Sequence, residues 1–494
     1  MAAESTTFEE KIPVSAKVAY GGSQGAHNLI SGIGLGAIDA FYLKVTNLDP
    51  GLMGISWMLF IVWNMINDPL IGILQDRTKT KLGRRIPYLR YGAPIYAITF
   101  IWIWFPFADT QILLFLNHLL MLYIFDTVYS MMGLIYYSMP AEMAITAKAR
   151  GNIMLYSTGL SAIGIVGTIF VPVIFLGNVP QILEFRIWMI IFGIIAGVAI
   201  FIGSYYIKEN KYTLMEEALG FWESIKQSLK NKPFLILEIT IFAGLIMQQI
   251  LYSYIIFLFD FVVDASMNIF NIFAFVIVFA VLTITVIWLL RNLEKRGLKK
   301  LMITGGFVAI VSFIALFIIG ISANASPGNK ISLFSISLPF SGIAFGLISY
   351  LLLSQPMMAD CIDNDEILTG KRRETTYAGM NALLTKPAIS IGHGIFLWII
   401  DLYGYDENIV DPLLQPSLVS TGILVAFTLV PLICLIIGVI SLIWFPLDGE
   451  GWNKKKKELH EIHQQKEKKY FEFLKEKGLS DAQNDTKSKI KDKA

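Results

Sequence analysis

Long apolar runs recur along the chain, and they constrain its fold more than any other feature. A helix that crosses the apolar core of a bilayer, about 30 Å thick, needs about 20 consecutive, mainly apolar residues. Runs close to that length or longer are separated by polar breaks. They lie at 18–43, 50–75, 89–107, 112–139, 151–176, 185–207, 233–263, 267–290, 301–322, 331–358, 376–402 and 416–445. The sequence therefore predicts twelve transmembrane α-helices.

The composition excludes a soluble globular protein. Hydrophobic residues make up 55% of the 494 residues and charged residues only 16%, whereas a soluble domain carries about 25% charged residues. A membrane β-barrel is excluded as well, because its strands alternate between apolar and polar residues and these runs are continuously apolar. Residues 1–17 are polar, so we expect no cleavable signal peptide. The expected fold class is an all-α integral membrane protein.

The positive charges of the loops orient the chain. Nearly all loop lysines and arginines fall in the breaks after the second, fourth, sixth, eighth and tenth predicted helices. The opposite breaks hold essentially Lys44 and Lys330. Because cytoplasmic loops carry the excess of lysine and arginine, both termini are predicted to be cytoplasmic.

The predicted helices divide into two groups of six. A polar linker at 208–232 separates residues 1–207 from residues 233–445, and a charged cytoplasmic tail follows at 446–494. The breaks at 76–85 and 291–300 are similar, since each holds an acid, a glycine and a basic pair. Internal similarity of this kind indicates duplication. Two pseudo-symmetric six-helix bundles around a central site are typical of a secondary transporter.

Ionisable residues inside the predicted spans are the first candidates for function, because charge is unfavourable at membrane depth. Asn64, Asn67 and Asp68 share one face of the second helix, directly ahead of Pro69. Their oxygens suit a small hard cation, and Asp68 alone can carry a proton. The alternative is that they only form hydrogen bonds between helices, and we favour the cation or proton site.

Asp126 in the fourth helix and Lys386 in the eleventh extend this set. Lys386 is the only lysine or arginine well inside a predicted span, and a buried charge without a partner is strongly destabilising. We therefore expect Lys386 to face Asp68, Asp126 or a wet cavity. His27 and His393 also lie inside spans, where a histidine is more often a core residue than a proton carrier.

Two segments give the chain a resemblance to the glycoside–pentoside–hexuronide:cation symporter family, which has the major facilitator fold. The first runs from Asn67-Asp68-Pro69 through Asp76-Arg77-Thr78 to Gly83-Arg84-Arg85-Ile86-Pro87-Tyr88. The second runs from Ala359-Asp360-Cys361-Ile362-Asp363-Asn364-Asp365-Glu366 through Thr369-Gly370-Lys371-Arg372-Arg373-Glu374 to Lys386. The resemblance covers nearly all of residues 18–450. It implies alternating access, with a cation beside the second and fourth helices and a sugar between the bundles.

The cation site that the resemblance implies is incomplete. Asn67 and Asp68 fall on its cation-site positions and Lys386 on its intramembrane lysine. However, Asn64 stands where the family has its first cation-site aspartate, and Ile135 stands where it has a threonine. Fewer oxygen ligands and one charge less should weaken Na⁺ binding, so coupling to H⁺ through Asp68, or no coupling, stays open.

The sugar site that the resemblance implies departs further. Asn28 and Ser138 replace two aspartates, Ser157 replaces an arginine, and Glu142 and Leu351 replace two tryptophans. Asn28, Ser138 and Ser157 can still form hydrogen bonds to hydroxyl groups, and together with the neighbouring His27 they are the predicted substrate-binding residues. Because the wider family resembles eukaryotic lysolipid transporters, an amphipathic substrate stays open.

The polar motifs of the two cytoplasmic breaks are predicted to form a gate. We expect ion pairs there that hold the outward-open state and break when the cavity opens inward. The alternative is that the positive charges only set the topology of the chain. That alternative does not explain the acidic residues of the two motifs, because acids contribute little to topology. The gate residues are Asp76, Arg77, Gly83, Arg84 and Arg85 in the first break and Asp360, Asp363, Glu366, Arg372 and Arg373 in the second.

The first functional hypothesis is cation-coupled symport of a sugar, glycoside or related small polar solute across the cell membrane, with H⁺ or Na⁺ as the coupling ion. A lysolipid or amphiphile carrier and a non-transporting sensor on the same scaffold are the alternatives. No enzyme is expected, because no nucleophile–base pair, metal cluster or phosphate-binding loop is visible. We expect no cofactor, no resident metal and no nucleic acid partner, and a monomer in contact with lipid.

Overall fold

A computed structural model describes residues 12–459 of the chain, apart from 79, 108, 145–146, 178–179, 210–228, 265, 267, 370–373 and 453. In this part of the chain the protein is almost entirely α-helical. The only sheet among the described residues is a pair of two-residue parallel strands, β1 (Val263–Asp264) and β2 (Ile331–Ser332).

Ahead of the linker, the part of the chain that the structure describes has six helices. They are α1 (Val14–Lys44), α2 (Pro50–Arg77), α3 (Ile86–Trp102), α4 (Gln111–Met143), α5 (Ala147–Leu176) and α6 (Ile182–Tyr206). The start of α2 is well defined, because Asp49 accepts a hydrogen bond from the Leu52 N–H and Pro50 occupies the first helical position.

Between the linker and Ile443 the described residues form seven α-helices. They are α7 (Lys232–Phe261), α8 (Ile269–Arg296), α9 (Leu298–Ser322), α10 (Ser337–Thr369), α11 (Glu374–Thr385), α12 (Pro387–Leu402) and α13 (Leu418–Ile443). Two predicted spans differ from the structure. The span expected at 331–358 begins later and runs on to Thr369, because residues 331–332 pair with β1. The span expected at 376–402 is interrupted at Lys386, where a proline follows.

Nine of the described helical segments are long and apolar enough to cross a membrane. The segment Tyr377–Leu402, which joins most of α11 to α12, is one of them. The prediction of an all-α membrane protein is therefore confirmed.

The helices pack mainly within two groups. In the first group α1 packs against α5 and α6, α3 against α6, and α2 against α4. In the second, α7 and α9 pack against α13, and α10 packs against α8 and α9. Glycines allow the close approach of α1 and α5, since a Cβ on Gly25 would lie 2.8 Å from the Leu160 carbonyl oxygen.

The two groups meet along α2 with α12, α1 with α7, and α5 with α7. At the end of the molecule where α1 and α7 finish, Lys44 forms an ion pair with Asp260 across this boundary, and both side chains are buried. The start of α2 and the end of α12 lie at the same end, since Gly51 approaches the Asp401 carboxylate. We call this the Lys44 end, and the opposite end, which carries Arg84 and Arg85, the Arg84 end.

Candidate cation and substrate site

The Lys386 ammonium is the centre of a polar cluster between the two helix groups. It donates to Asp68 Oδ1 and to Ser130 Oγ, both at 2.6 Å, and to Asn67 Oδ1 at 3.2 Å. Asp68 and Asn67 come from α2 and Ser130 from α4. Three oxygens from the first group thus surround one positive charge from the second.

The interruption between α11 and α12 places this ammonium. Pro387 has no N–H and its ring disfavours a continuous helix, so α11 ends at Thr385 and α12 starts at Pro387. The carbonyl oxygen of Lys386 then accepts a hydrogen bond from Asn64 Nδ2 at 3.1 Å. Asn64 therefore binds the main chain of Lys386, while Asp68, one turn further along α2, binds the Lys386 side chain.

Asn67 connects Asp126 to the cluster. Its Nδ2 donates to Asp126 Oδ2 and, at 3.1 Å, to Ser130 Oγ, while its Oδ1 faces Lys386. Asp126 is 2% exposed and Asp68 8% exposed. The five predicted cation-site residues, Asn64, Asn67, Asp68, Asp126 and Lys386, are thus brought together, and Ser130 is an addition that the sequence analysis missed.

The charges of the cluster do not balance. When ionised, Asp68 and Asp126 carry two negative charges against the one positive charge of Lys386. The buried Oδ1 of Asn64, next to the cluster, has no hydrogen-bond donor. A buried net charge is unfavourable, and one more positive charge, from a proton or a monovalent cation, would balance it.

The predicted substrate residues lie along α1, α4 and α5. His27 stacks on Tyr129, with ring centroids 5.4 Å apart, and the Lys386 ammonium lies 5.8 Å from the centroid of the same Tyr129 ring. Tyr129 thus joins His27 to the cation cluster. The partner of His27 Nδ1 is the Tyr96 hydroxyl at 3.1 Å.

Asn28, Ser138 and Ser157 differ in their freedom to bind a solute. Asn28 is half-buried beside Gly164 of α5. Ser157 donates to Gln24 of α1. Ser138 donates to the Leu134 carbonyl oxygen of its own helix at 2.7 Å, so in this state its hydroxyl can only accept a hydrogen bond from a solute.

At the Arg84 end the basic pair of the first gate motif contacts α4. Arg84 Nη2 lies 2.7 Å and Arg85 Nε 3.0 Å from Glu142 Oε1. Burial raises the pKa of Glu142, and the two guanidinium groups act in the opposite direction. The side chain of Asp76 lies outside the described part of the structure. Glu142, which the family resemblance had placed at a sugar-site position, is therefore a partner of the two arginines predicted to belong to the gate.

Gly83 turns the chain into α3. Its φ of +111° is unfavourable for a side chain, and a Cβ there would lie 2.6 Å from the Glu209 carboxylate. That carboxylate accepts hydrogen bonds from the N–H groups of Arg84, Arg85 and Ile86 at 2.8, 2.7 and 2.9 Å. The end of α6 is thus fixed to the start of α3.

In the second gate motif, Asp360 contacts the tail. It accepts hydrogen bonds from Trp452 Nε1, at 3.0 Å, and from Lys456. The predicted partners Arg372 and Arg373 lie outside the described residues, while Glu366 is buried and Asp363 half-buried on the same helix. Trp452 and Leu459 are buried, so the first part of the charged tail packs against the helices.

A second buried cluster, which the sequence analysis missed, surrounds Asp39 of α1. Asp39 accepts hydrogen bonds from Trp57 Nε1 at 2.9 Å and from the Tyr254 hydroxyl, and His393 Nδ1 lies 2.6 Å from its Oδ2. The Nε2 atom of His118 lies 3.6 Å from its Oδ1. The sequence could have indicated Asp39 as a candidate, because this ionisable residue lies well inside the span predicted at 18–43.

Comparisons with known proteins identify the family. The profile of the family described as MFS/sugar transport protein matches residues 20–449. The chain belongs to this family. The resemblance to the glycoside–pentoside–hexuronide:cation symporters is thereby confirmed, and the protein is a membrane transporter of the major facilitator superfamily and not an enzyme.

Three relatives illustrate the range of this similarity. The sodium-dependent lysophosphatidylcholine symporter 1 of Xenopus tropicalis is 22% identical, over 93% of this chain and 92% of its own. The isoprimeverose transporter of Lactiplantibacillus pentosus is 21% identical, over 90% and 91%. The crystal structure of a D-xylose-proton symporter shares the fold, with a TM-score of 0.57 at 16% identity over 88% of this chain and 97% of that one.

Proposed function

We propose that the protein is a cation-coupled secondary transporter that moves a sugar, glycoside or related small polar solute by alternating access. It crosses the cell membrane twelve times, with α11 and α12 forming one interrupted span, and both termini are cytoplasmic. Residues 1–207 and 233–445 form the two bundles that move relative to each other, and the Arg84 end is the cytoplasmic end.

The observation that carries this proposal is the unbalanced charge of the Lys386 cluster at the boundary between the bundles. Lys386 belongs to one bundle, and its oxygen partners belong to the other. A proton or cation that binds Asp68 or Asp126 weakens the attraction for Lys386. Ion binding therefore changes the contact between the bundles, which is what coupling requires.

The residues of the cluster favour H⁺ over Na⁺ as the coupling ion. The side chains at positions 64 and 135 are an amide and a hydrocarbon, so the site has one carboxylate and one oxygen ligand fewer than the family pattern. A proton needs a single carboxylate, and Asp68 supplies it.

A lysophospholipid is the second candidate substrate. One relative is named for lysophosphatidylcholine, and the neutral Asn28 and Ser138 stand where the family's sugar site has acids. The hydrogen-bonding capacity of Asn28 and Ser157, and the relative named for isoprimeverose, favour the small polar solute.

Uptake into proteoliposomes tests the proposal. A panel of pentosides, hexosides and a labelled lysophosphatidylcholine is presented with and without a pH or Na⁺ gradient. The wild type is compared with Asp68→Asn and with Asp109→Asn, a control that removes an exposed loop carboxylate. We expect gradient-driven sugar uptake that Asp68→Asn loses and Asp109→Asn keeps.

Two results would contradict the proposal in different ways. Uptake of lysophosphatidylcholine alone would overturn the substrate and leave the transport mechanism in place. Binding of a solute without any uptake or counterflow would instead indicate a sensor on this scaffold.

A further inference from the structure

The Asp39 cluster has no part in the mechanism proposed above, yet it joins the two bundles. From the first bundle come Asp39 of α1, Ser56 and Trp57 of α2, and His118 of α4. From the second come Tyr254 and Gln249 of α7 and His393 of α12. Asp39, His118 and His393 are each 0% exposed. The cluster lies closer to the Lys44 end than Lys386 does, because Asp39 is about 8 Å, at 1.5 Å per residue, from Lys44 along α1.

The hydrogen bonds of the second bundle indicate that His393 is neutral. Its Nε2 lies 3.2 Å from Gln249 Nε2, which can only donate. His393 Nε2 therefore accepts, and its single proton sits on Nδ1, from which it is donated to Asp39 Oδ2. The stacking of His393 on Trp57, with centroids 3.9 Å apart, fixes the plane of the ring.

The hydrogen bonds of the first bundle leave one position on His118 without a partner. Ser56 Oγ lies 2.7 Å from the Met53 carbonyl oxygen, to which its only proton is donated. With that proton donated to the Met53 carbonyl oxygen, His118 Nδ1, 2.6 Å from the same Ser56 Oγ, is the donor in that contact. In neutral His118 the proton is therefore on Nδ1, and Nε2, which has no hydrogen-bond partner, presents its lone pair to Asp39 Oδ1.

We propose that Asp39 and His118 form a proton-binding site, in which one proton occupies the gap between His118 Nε2 and Asp39 Oδ1. With the proton the Asp39–His118 pair is neutral, and without it a carboxylate charge is buried between two neutral imidazoles. The three donors on Asp39, from Trp57, Tyr254 and His393, reduce that penalty without removing it. Towards the Lys44 end, the charges of Lys44 on α1 and of Asp260 on α7 neutralise each other.

The site is linked to the closure of the Lys44 end. Tyr254 and His393 leave Asp39 when the bundles separate at this end, and water then solvates the carboxylate. Two of the three donors on Asp39 are thus present only while this end is closed, so the proton affinity of the site differs between the closed and the open state. The closed-to-open ratio of the Lys44 end therefore depends on pH.

This inference deepens the proposed function and rests on it only in that the bundles must move. The proton here is separate from the one assigned to Asp68, since Asp39 shares no hydrogen-bond partner with the Lys386 cluster among the described residues. The proposed site is thus a second proton site, closer to the Lys44 end than the Lys386 cluster is.

The experiment measures the distance between spin labels at Thr110→Cys and Val410→Cys, two exposed positions in loops of opposite bundles at the Lys44 end. Cys361 and Cys434 are replaced by alanine, and the protein is in lipid nanodiscs without solute. We expect the closed-to-open ratio to change about tenfold between pH 8.5 and pH 5.5 for a difference of one pKa unit between the states. Asp39→Asn and His118→Gln should each remove this pH dependence.

Two controls separate the site from general effects. Lys44→Met weakens the closed end without touching the cluster, so it should shift the ratio at every pH and keep the pH dependence. Asp68→Asn should also keep it. In wild-type protein with ¹⁵N-labelled histidine, the imidazole resonance that His118→Gln removes should shift with pH over the same range as the distance.

The outcomes are distinguishable from a failure of the proposed function. A pH-dependent distance that persists in both Asp39→Asn and His118→Gln, or a His118 resonance that stays unprotonated throughout, would overturn the second proton site. Failure of every uptake assay, with the pH-dependent closure intact, would overturn the transport assignment alone.

Discussion

At the scale of single residues, the Lys386 cluster depends on charge. Lys386→Met leaves Asp68 and Asp126 buried without a cation, and removing one partner of a buried ion pair costs about 3–5 kcal/mol. Asp68→Asn with Lys386→Met restores the wild-type net charge of the cluster. We expect the single Lys386→Met variant to lose thermal stability and the double variant to regain most of it. Melting curves in detergent compare them, and equal melting temperatures for the two would argue against an ion pair.

A second prediction for a single residue concerns Asn64 and the choice of coupling ion. Asn64→Asp adds a carboxylate beside Lys386 and returns the family's pattern of charges to α2. We expect uptake to become Na⁺-dependent, with Na⁺ binding at least tenfold tighter than in the wild type, which corresponds to about 1.4 kcal/mol. Asn64→Gln, which keeps the amide, serves as the control. No change in Na⁺ dependence in Asn64→Asp would mean that position 64 does not contact the ion.

At the scale of elements, the break between α11 and α12 positions the Lys386 ammonium. Pro387→Ala restores an N–H and removes the clash of the ring with the preceding turn, which is worth about 3 kcal/mol in a helix interior. We expect a continuous helix, an equal or higher melting temperature, and coupled uptake reduced more than tenfold because the ammonium is displaced. Pro416→Ala, outside the helices, is the control. Full coupled uptake in Pro387→Ala would show that the break is not needed.

The turn before α3 is the other element that a single position controls. Gly83→Ala forces a side chain into positive φ and against Glu209, and strain of this kind costs about 1–3 kcal/mol. Glu209→Gln keeps the shape and removes only the charge that the N–H groups of α3 bind, so we expect a smaller loss, about 1 kcal/mol. Melting temperatures should therefore fall in the order wild type, Glu209→Gln, Gly83→Ala. The reverse order would mean that the turn tolerates a side chain.

The sequence allowed the helices and the cation cluster to be predicted, and the reason is physical. Apolar runs must be helical in lipid, and a lone intramembrane lysine must find the acids, which Lys386 does. Contacts between residues that are far apart in the sequence cannot be predicted in this way. Nothing local indicates that Arg84 contacts Glu142, that Asp360 contacts Trp452, or that Asp39 meets His393 from α12. The family resemblance directed attention to its own cation-site and sugar-site positions, and Asp39 is not one of them.

At the scale of the whole molecule, the Lys44–Asp260 pair holds the bundles together at one end. Lys44 also donates to the Leu176 carbonyl oxygen at 2.9 Å, so three helices meet at this ammonium. Asp260→Asn leaves the Lys44 charge buried without a carboxylate while this end is closed, whereas opening lets water reach it. The variant therefore favours the open state at the Lys44 end.

We predict that exchanging the charges of Lys44 and Asp260 restores most of the closure that Asp260→Asn weakens. With labels at Thr110→Cys and Val410→Cys, Asp260→Asn should move the distance distribution towards longer values at every pH. Lys44→Asp combined with Asp260→Lys should return it most of the way, because the pair is rebuilt with opposite polarity. The return will be incomplete, since the Leu176 carbonyl oxygen then faces a carboxylate. If the exchanged protein is as open as Asp260→Asn, the closure depends on packing around Gly51 and Gly54 and not on this ion pair.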